Sequence, residues 1–151
     1  MINYLIGDAT NPPTPSVILH ICNNIGAWGA GFTHALDQID SGPRLAFLEL
    51  TKQHHRYKDQ LLGQIQLTPF GPHFVANMIA QSGVRSKYNP TPIRYDALAD
   101  CLQKVSTSVP LTKTIVGPRF GAGLAGGDWS VISKLINQYL PKHTINIYDL
   151  P

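Results

Sequence analysis

The sequence predicts an α/β fold, a mixed sheet with helices on both faces, and three observations carry that expectation. Strand-like and helix-like segments follow one another in the order β-β-α-α-β-β-α-β-α-β, the pattern of layered α/β domains. Val17-Ile18-Leu19-His20-Ile21-Cys22 is a nearly unbroken apolar run, as expected of a strand buried on both faces. Eight of the thirteen glycines fall in two short windows, Gly26–Gly31 and Gly117–Gly127, each after a predicted strand and before a predicted helix.

Taken in order, Tyr4-Leu5-Ile6 before Gly7-Asp8 reads as a strand ending in a turn. Asn11-Pro12-Pro13-Thr14-Pro15 is a rigid loop, because each proline fixes φ and removes a donor. The buried strand then enters the first glycine loop, Asn23 through Gly31, and a short helix is expected through Phe32, Ala35 and Leu36. Pro43 suits the first turn of a second helix, with Leu45, Leu48, Lys52 and Arg56 following at helical spacing. Strands are expected over Gly63–Thr68 and Phe74–Ala80. Thr91-Pro92 reads as the N-cap and first-turn pair of a third helix. Its apolar stripe is Ile93, Ala97, Leu98, Cys101, Leu102 and Val105. Thr114-Ile115-Val116 is a strand running into the second glycine loop. Asp128 caps a last helix with the stripe Val131, Ile132, Leu135, Ile136 and Tyr139, and Thr144–Tyr148 closes the sheet.

The 151 residues contain no linker-like stretch, so one domain over 1–151 is expected. At 43% hydrophobic the chain can bury a sizeable core, which excludes disorder. No apolar run approaches a membrane span and the opening residues read as a strand, so no membrane association and a cytoplasmic location are expected. Cys22 and Cys101 have neither metal-ligand nor disulfide spacing and read as buried thiols. The formal charge is only +3, and nucleic-acid binding is not expected from it. Seven basic residues between Arg44 and Arg94 face only Glu49 and Asp59, a set that attracts an anion or forms a solvated face.

Paired glycine loops after strands are how an α/β protein cradles phosphate: backbone N–H groups reach the anion where side chains are missing. Two of them suggest a diphosphate held from both sides, or else two tight strand–helix turns. Neither loop carries the Lys-Ser/Thr of a nucleoside-triphosphate loop. Asp8, just past the first strand, accepts from an exocyclic amine or caps its own turn. His20 and Cys22 share one face of a core strand without a third ligand and read as packing. His54 and His55 are helix neighbours that point apart. Trp28, between glycines, reads as lining a site rather than filling the core.

Gly7-Asp8-Ala9-Thr10, then Cys22-Asn23-Asn24-Ile25-Gly26-Ala27-Trp28-Gly29-Ala30-Gly31-Phe32, then Gly117-Pro118-Arg119-Phe120-Gly121-Ala122-Gly123-Leu124 together resemble the macrodomains. The resemblance covers essentially the whole chain. It is nearest to the small branch of terminal ADP-ribose protein glycohydrolases and ADP-ribose 1″-phosphate phosphatases. It implies a three-layer α/β/α sandwich and an ADP-ribose site with ADP-ribosylated proteins as partners, no metal or cofactor, and a monomer. On that resemblance Asp8 and the Ala9 amide would take the adenine, with Tyr148 and Leu150 nearby. Gly29, Ala30 and Gly31 would hold one face of the diphosphate, with Trp28 and Gln81 lining the site, and Asn23 would reach the distal ribose. Gly121, Ala122, Gly123 and Leu124 would wrap the other phosphate.

The lysine and aspartate of the glycohydrolases correspond to Gln81 and Ala125, so a lysine Schiff-base route has no support. The remaining candidates are Asp128 to activate water, Arg85 to clamp a phosphate or leaving carboxylate, and Gly83 to let the loop approach the ribose. Asp128 also suits a helix cap, and Arg85 a solvated loop charge. The expected activity is hydrolysis of ADP-ribose from glutamate and aspartate esters. Removal of a 1″-phosphate, deacetylation of O-acetyl-ADP-ribose and binding without turnover are the alternatives.

Overall fold

The computed structural model describes residues 1–151. A six-stranded sheet contains β1 (Ile2–Ile6), β2 (Ser16–Asn23), β3 (Ile65–Phe70), β4 (His73–Gln81), β5 (Thr114–Gly117) and β6 (Ile145–Asp149). Their order across the sheet is β1-β6-β5-β2-β4-β3. All neighbours are parallel except β3, which lies antiparallel on β4 at the edge. That edge position tolerates Pro69, whose missing N–H breaks no inner ladder. The helices are α1 (Phe32–Asp37), α2 (Gly42–Gln53), α3 (Tyr95–Ser108) and α4 (Trp129–Tyr139), with a 3-10 turn over Lys58–Leu61.

Central strands β2 and β4 are mostly apolar and mostly buried because both their faces are covered. Val17, Leu19, Ala76 and Met78 pack with Leu98, Leu102 and Val105 of α3 and Ile132 and Ile136 of α4. The alternate residues Ile18, Val75 and Val116 pack with Leu36 of α1, while Cys22 and Ile79 meet Phe47 of α2 and Leu61. The result is the expected α/β/α sandwich with a mixed sheet.

Three helix expectations are corrected. Helix α3 begins at Tyr95, so Thr91 and Pro92 do not cap it. Their segment is extended instead: Ser82 N donates to the Pro92 carbonyl (2.9 Å) and Arg94 N to the Ala80 carbonyl (2.8 Å), pairing that satisfies the backbone against the end of β4. In α2 the buried residues are Pro43, Phe47 and Thr51, whereas Leu45 and Leu48 are exposed, because the sheet accepts the face carrying the large Phe47 ring. In α4, Ile132 and Ile136 are buried but Val131 lies at the rim.

Because five strands run the same way, their C-terminal ends share one edge, and the loops after β1, β2, β4 and β5 emerge there. β2 and β5 are neighbours whose onward connections go to opposite faces, β2 to α1 and α2 and β5 to α4. An open α/β sheet receives ligands in the crevice this reversal creates.

Candidate functional site

A cleft of about 560 Å³ opens between the loops following β2 and β5. Its lining comes from the end of β2 (20–23), the first glycine loop (27–33), the second loop (118–121 and 123–125), and Gln81, Val84 and Arg85 after β4.

Side-chain hydrogen bonds shape the first loop. The Asn23 side-chain oxygen accepts from the amides of Ile25 (3.0 Å) and Ala27 (3.1 Å), and its nitrogen donates to the Ala27 carbonyl (2.7 Å). The Thr33 hydroxyl accepts from Gly29 N (3.1 Å) and donates to the Ala30 carbonyl (2.8 Å). Gly29 has φ +118°, a conformation that L side chains rarely adopt. Trp28 lines the cleft and also plugs the loop, with ring centroids 5.5 Å from both Phe47 and His20. Its indole N–H is buried without a hydrogen-bond partner.

Glycines of the second loop serve different ends. At Gly121 (φ +82°) a Cβ would fall 2.8–2.9 Å from the Cδ1 atoms of Ile93, Ile132 and Ile21, so the packing itself demands glycine. At Gly123 φ is not positive and nothing lies within 4 Å of a Cβ, so the fold does not require glycine there. The two loops meet where Leu124 Cδ1 lies 3.6 Å from the Cβ position of Gly31. On the two sides of this junction the amides of Ala30, Gly31 and Phe32 and those of Gly121, Gly123 and Leu124 lack a protein acceptor.

No carboxylate lines the cleft, and its only cationic side chains are Arg85 and Arg119. Arg119 is committed to Asp149 through two bonds of 2.8 and 3.0 Å and lies over the rings of Tyr4 and Trp129. The pairing raises the Arg119 pKa and holds the Asp149 carboxyl below its usual range. Arg85 is exposed and has no ion-pair partner. His20 is buried beneath the loops, and burial lowers its pKa to about 4 despite its bond to Asn77. The Asn77 amide nitrogen donates to the Pro43 carbonyl (3.0 Å), so its oxygen accepts from His20 Nε2 (2.6 Å). The imidazole is therefore neutral with its proton on Nε2. Burial likewise pushes the Cys22 thiol up and that of Cys101 to about 12, leaving both inert.

Of the residues expected at a site, Asn23, Trp28, Gly29, Ala30, Gly31, Gln81, Arg85, Gly121, Gly123 and Leu124 line the cleft, and Ala122 does not. Asn23 spends its amide on the loop, so its contribution is to shape rather than to reach outward. Gln81 Nε2 donates to the Gly83 carbonyl (3.0 Å), leaving Oε1 uncommitted, and Gly83 N donates to Asn24 Oδ1 (2.9 Å) behind the lining. Asp8, Ala9 and Tyr148 lie outside the cleft, at the β1–β6 end of the same edge. There Gly7 N donates to the Asp149 carbonyl, and a Cβ on Gly7 would sit 3.0 Å from Tyr148 Cδ1. Asp8 Oδ1 accepts from Thr10 N (2.9 Å) and Thr10 Oγ1 (2.7 Å), the turn-capping alternative.

Asp128 takes up the capping role that was its alternative reading. It is the N-cap of α4, its Oδ1 accepting from Ser130 N (2.9 Å) and Ser130 Oγ (2.8 Å), and it is exposed and absent from the cleft lining. Those bonds lower its pKa, which makes it a weaker base. Sequence reasoning did not single out Thr33, Phe120 or Arg119. Arg119 stands inside the second glycine motif, whereas a Thr at the start of a short helix gives little signal of its bracing role.

No family model matches the chain. By sequence it is 27% identical over 137 residues, 87% of this chain and 84% of the relative, to an uncharacterized 17.5 kDa protein in the tk-vs intergenic region of Enterobacteria phage T4. Among solved structures it is similar to a protein of unknown function from Bacteroides thetaiotaomicron, at 35% identity over 99% of this chain and 98% of that one, TM-score 0.87. A macrodomain protein from Streptomyces coelicolor is 34% identical over 99% of both chains, TM-score 0.80. A variant of the Oceanobacillus iheyensis macrodomain with ADPR shares the fold, at 19% identity over 97% of this chain and 83% of that one, TM-score 0.65.

Proposed function

This chain belongs to the macrodomain family, and from that premise we propose that its cleft binds ADP-ribose and releases it from glutamate and aspartate esters of modified proteins. The observation that carries the reading is the pair of glycine loops, with amides that have no protein acceptor, lining one cleft without carboxylates. That is a site for a doubly anionic group. The polar groups along the strand ends suit the rest of the molecule. Tyr148 waits on β6 and Gln81 at the end of β4, three inter-strand spacings or roughly 14 Å apart, with Asp8 one strand further out after β1 and Arg85 in the loop after β4. An extended ligand with a base at one end, a diphosphate in the middle and a ribose at the other fits that order.

The choice of ester follows from what the cleft lacks. Cleaving the bond between the anomeric carbon and a carboxylate oxygen expels a stable anion, so no general acid is needed, and none lines the cleft. In this reading Gln81 Oε1 orients a water toward the anomeric carbon. The water oxygen forms the new bond, the electron pair of the broken bond leaves with the carboxylate, and the water proton passes to solvent. Arg85 stabilises the departing carboxylate.

The same scarcity of acid and base groups favours a second reading, a reader that binds without turnover. Release of free ADP-ribose from a glutamate-linked ADP-ribosylated protein, run for wild type, Arg85→Ala and Gln81→Ala beside calorimetric ADP-ribose binding, separates the two. Turnover by wild type that falls in both variants while binding persists supports the hydrolase. Tight binding with no release by wild type leaves the reader.

A further inference from the structure

The strongest feature outside the cleft is a basic collar at its Gln81–Arg85 end. Asn24, only 3% exposed, ties its two halves together: Nδ2 donates to the Lys58 carbonyl (3.2 Å) while Oδ1 accepts from Gly83 N (2.9 Å). The turn after α2 and the loop after β4 are therefore adjacent, and the second of them supplies Arg85 to the cleft. Arg56, Lys58, Arg85 and Lys87 are all exposed, and none forms an ion pair; the molecule has ion pairs only at Arg44–Asp37 and Arg119–Asp149.

These four cations face one local acid, Asp59, so the collar holds an excess equal to the whole formal charge of +3. The other eight cations are balanced by eight acids. The same loops and the adjoining one after β2 carry exposed apolar side chains, Ile25 (44%), Val84 (42%), Tyr57 (63%) and Tyr88 (88%).

We propose that this collar docks an acidic segment of the modified protein, so that the enzyme prefers ADP-ribose carried within acid-rich sequence. The inference rests on the ester-hydrolase reading, in which the carrier leaves the cleft beside Arg85. A polypeptide modified on a glutamate or aspartate presents neighbouring carboxylates to the same cations, and aliphatic Ile25 and Val84 give its backbone and side-chain stems a surface. A nucleic-acid strand is the poorer fit, because it needs a basic track that continues along its phosphates, and the positive charge here is confined to one spot.

The test uses two ten-residue peptides, each ADP-ribosylated on one central glutamate, with flanks of Asp/Glu or of Asn/Gln. Turnover and affinity are measured for wild type and for the Arg56→Glu/Lys58→Glu/Lys87→Glu variant, alongside binding of free ADP-ribose. Wild type is expected to favour the acidic peptide by about tenfold at low salt, the sum of a few exposed pairs, and to lose the preference as salt rises. The variant is expected to show no preference, with its ADP-ribose affinity and its rate on the neutral peptide unchanged. Equal handling of both peptides by wild type, or a preference that survives in the variant, overturns the docking. So does stronger competition by a ten-nucleotide single strand than by an unmodified acidic peptide, which assigns the collar to nucleic acid. If the acidic peptide binds about tenfold tighter but neither is cleaved, the docking stands and ester hydrolysis falls.

Discussion

Replacing Gly123 with alanine adds one methyl group where the fold leaves room for it, and the same change at Gly121 adds one where it does not. At Gly121 the new Cβ carries the cost of φ +82° and lies 2.8–2.9 Å from three isoleucine methyl carbons. The left-handed conformation costs roughly 1–2 kcal/mol, and displacing a well-packed core roughly 1–3 kcal/mol. A loss of about 3 kcal/mol lowers the thermal midpoint of a chain this size by roughly 6–12 °C. Gly123 has neither penalty, so Gly123→Ala should unfold within about 0.5 kcal/mol of wild type. Gly123 lines the cleft, however, so its methyl group takes up room beside the unpartnered amides and pushes an anion off them. Losing one charged hydrogen bond of about 1.5–3 kcal/mol weakens ADP-ribose binding by roughly ten- to a hundredfold. Differential scanning calorimetry and titration calorimetry on the two variants check both halves. Wild-type affinity in Gly123→Ala, with midpoints falling alike in both proteins, would refute the anion cradle.

Further outcomes follow from the same geometry. Asp128→Ala should keep its hydrolytic rate and lose stability through the α4 cap. The Asp128 pKa is depressed in the folded state, so its contribution is present above the unfolded value of 3.8 and is lost as pH falls through the folded value; denaturation at pH 7 and pH 3 should show the gap between variant and wild type closing in acid. His20 should remain neutral down to about pH 4 with its proton on Nε2, which a nitrogen-resolved NMR titration reads directly. Because the unfolded ring protonates near 6.5, His20 removes stability as pH falls from 6.5 towards 4 and adds no further loss below that. Arg85→Ala should slow ester hydrolysis at least tenfold while changing unfolding free energy by less than about 0.5 kcal/mol, since the side chain has no partner in the protein to lose. Thr33→Val should weaken ADP-ribose binding by removing the hydroxyl that braces Gly29 and Ala30, measured by the same calorimetry.

The fold was legible in the sequence because its signals are local. The apolar run at Val17–Cys22, the stripe of α3 from Ala97 to Val105 and Asp128 ahead of α4 each report the environment of a short segment. Where two local patterns competed, the chain alone did not choose. Thr91-Pro92 has the chemistry of a helix start, yet the Pro92 carbonyl is claimed by Ser82 N and the following Arg94 N by the Ala80 carbonyl, partners far away in the chain. Leu45 and Leu48 have helical spacing, but the face of α2 that meets the sheet is the one bearing Phe47.

The sequence by itself determined the element order, the two glycine loops and most of the residues that line the cleft, since glycine, proline and apolar spacing act on their nearest neighbours. Only the tertiary structure decided what each polar group does. Asp128, Asp8 and Asn23 have side chains suited to a ligand, but short-range hydrogen bonds to Ser130, Thr10 and the first loop occupy them. Arg85 and Gln81 stay available because β4 ends at the cleft and nothing in the fold neutralises the arginine. The bonds of Asp128, Asp8 and Asn23 are local, whereas the partners that hold Asn24 to Gly83 and His20 to Asn77 are far apart in the chain, and bringing them together is the work of the packed sheet.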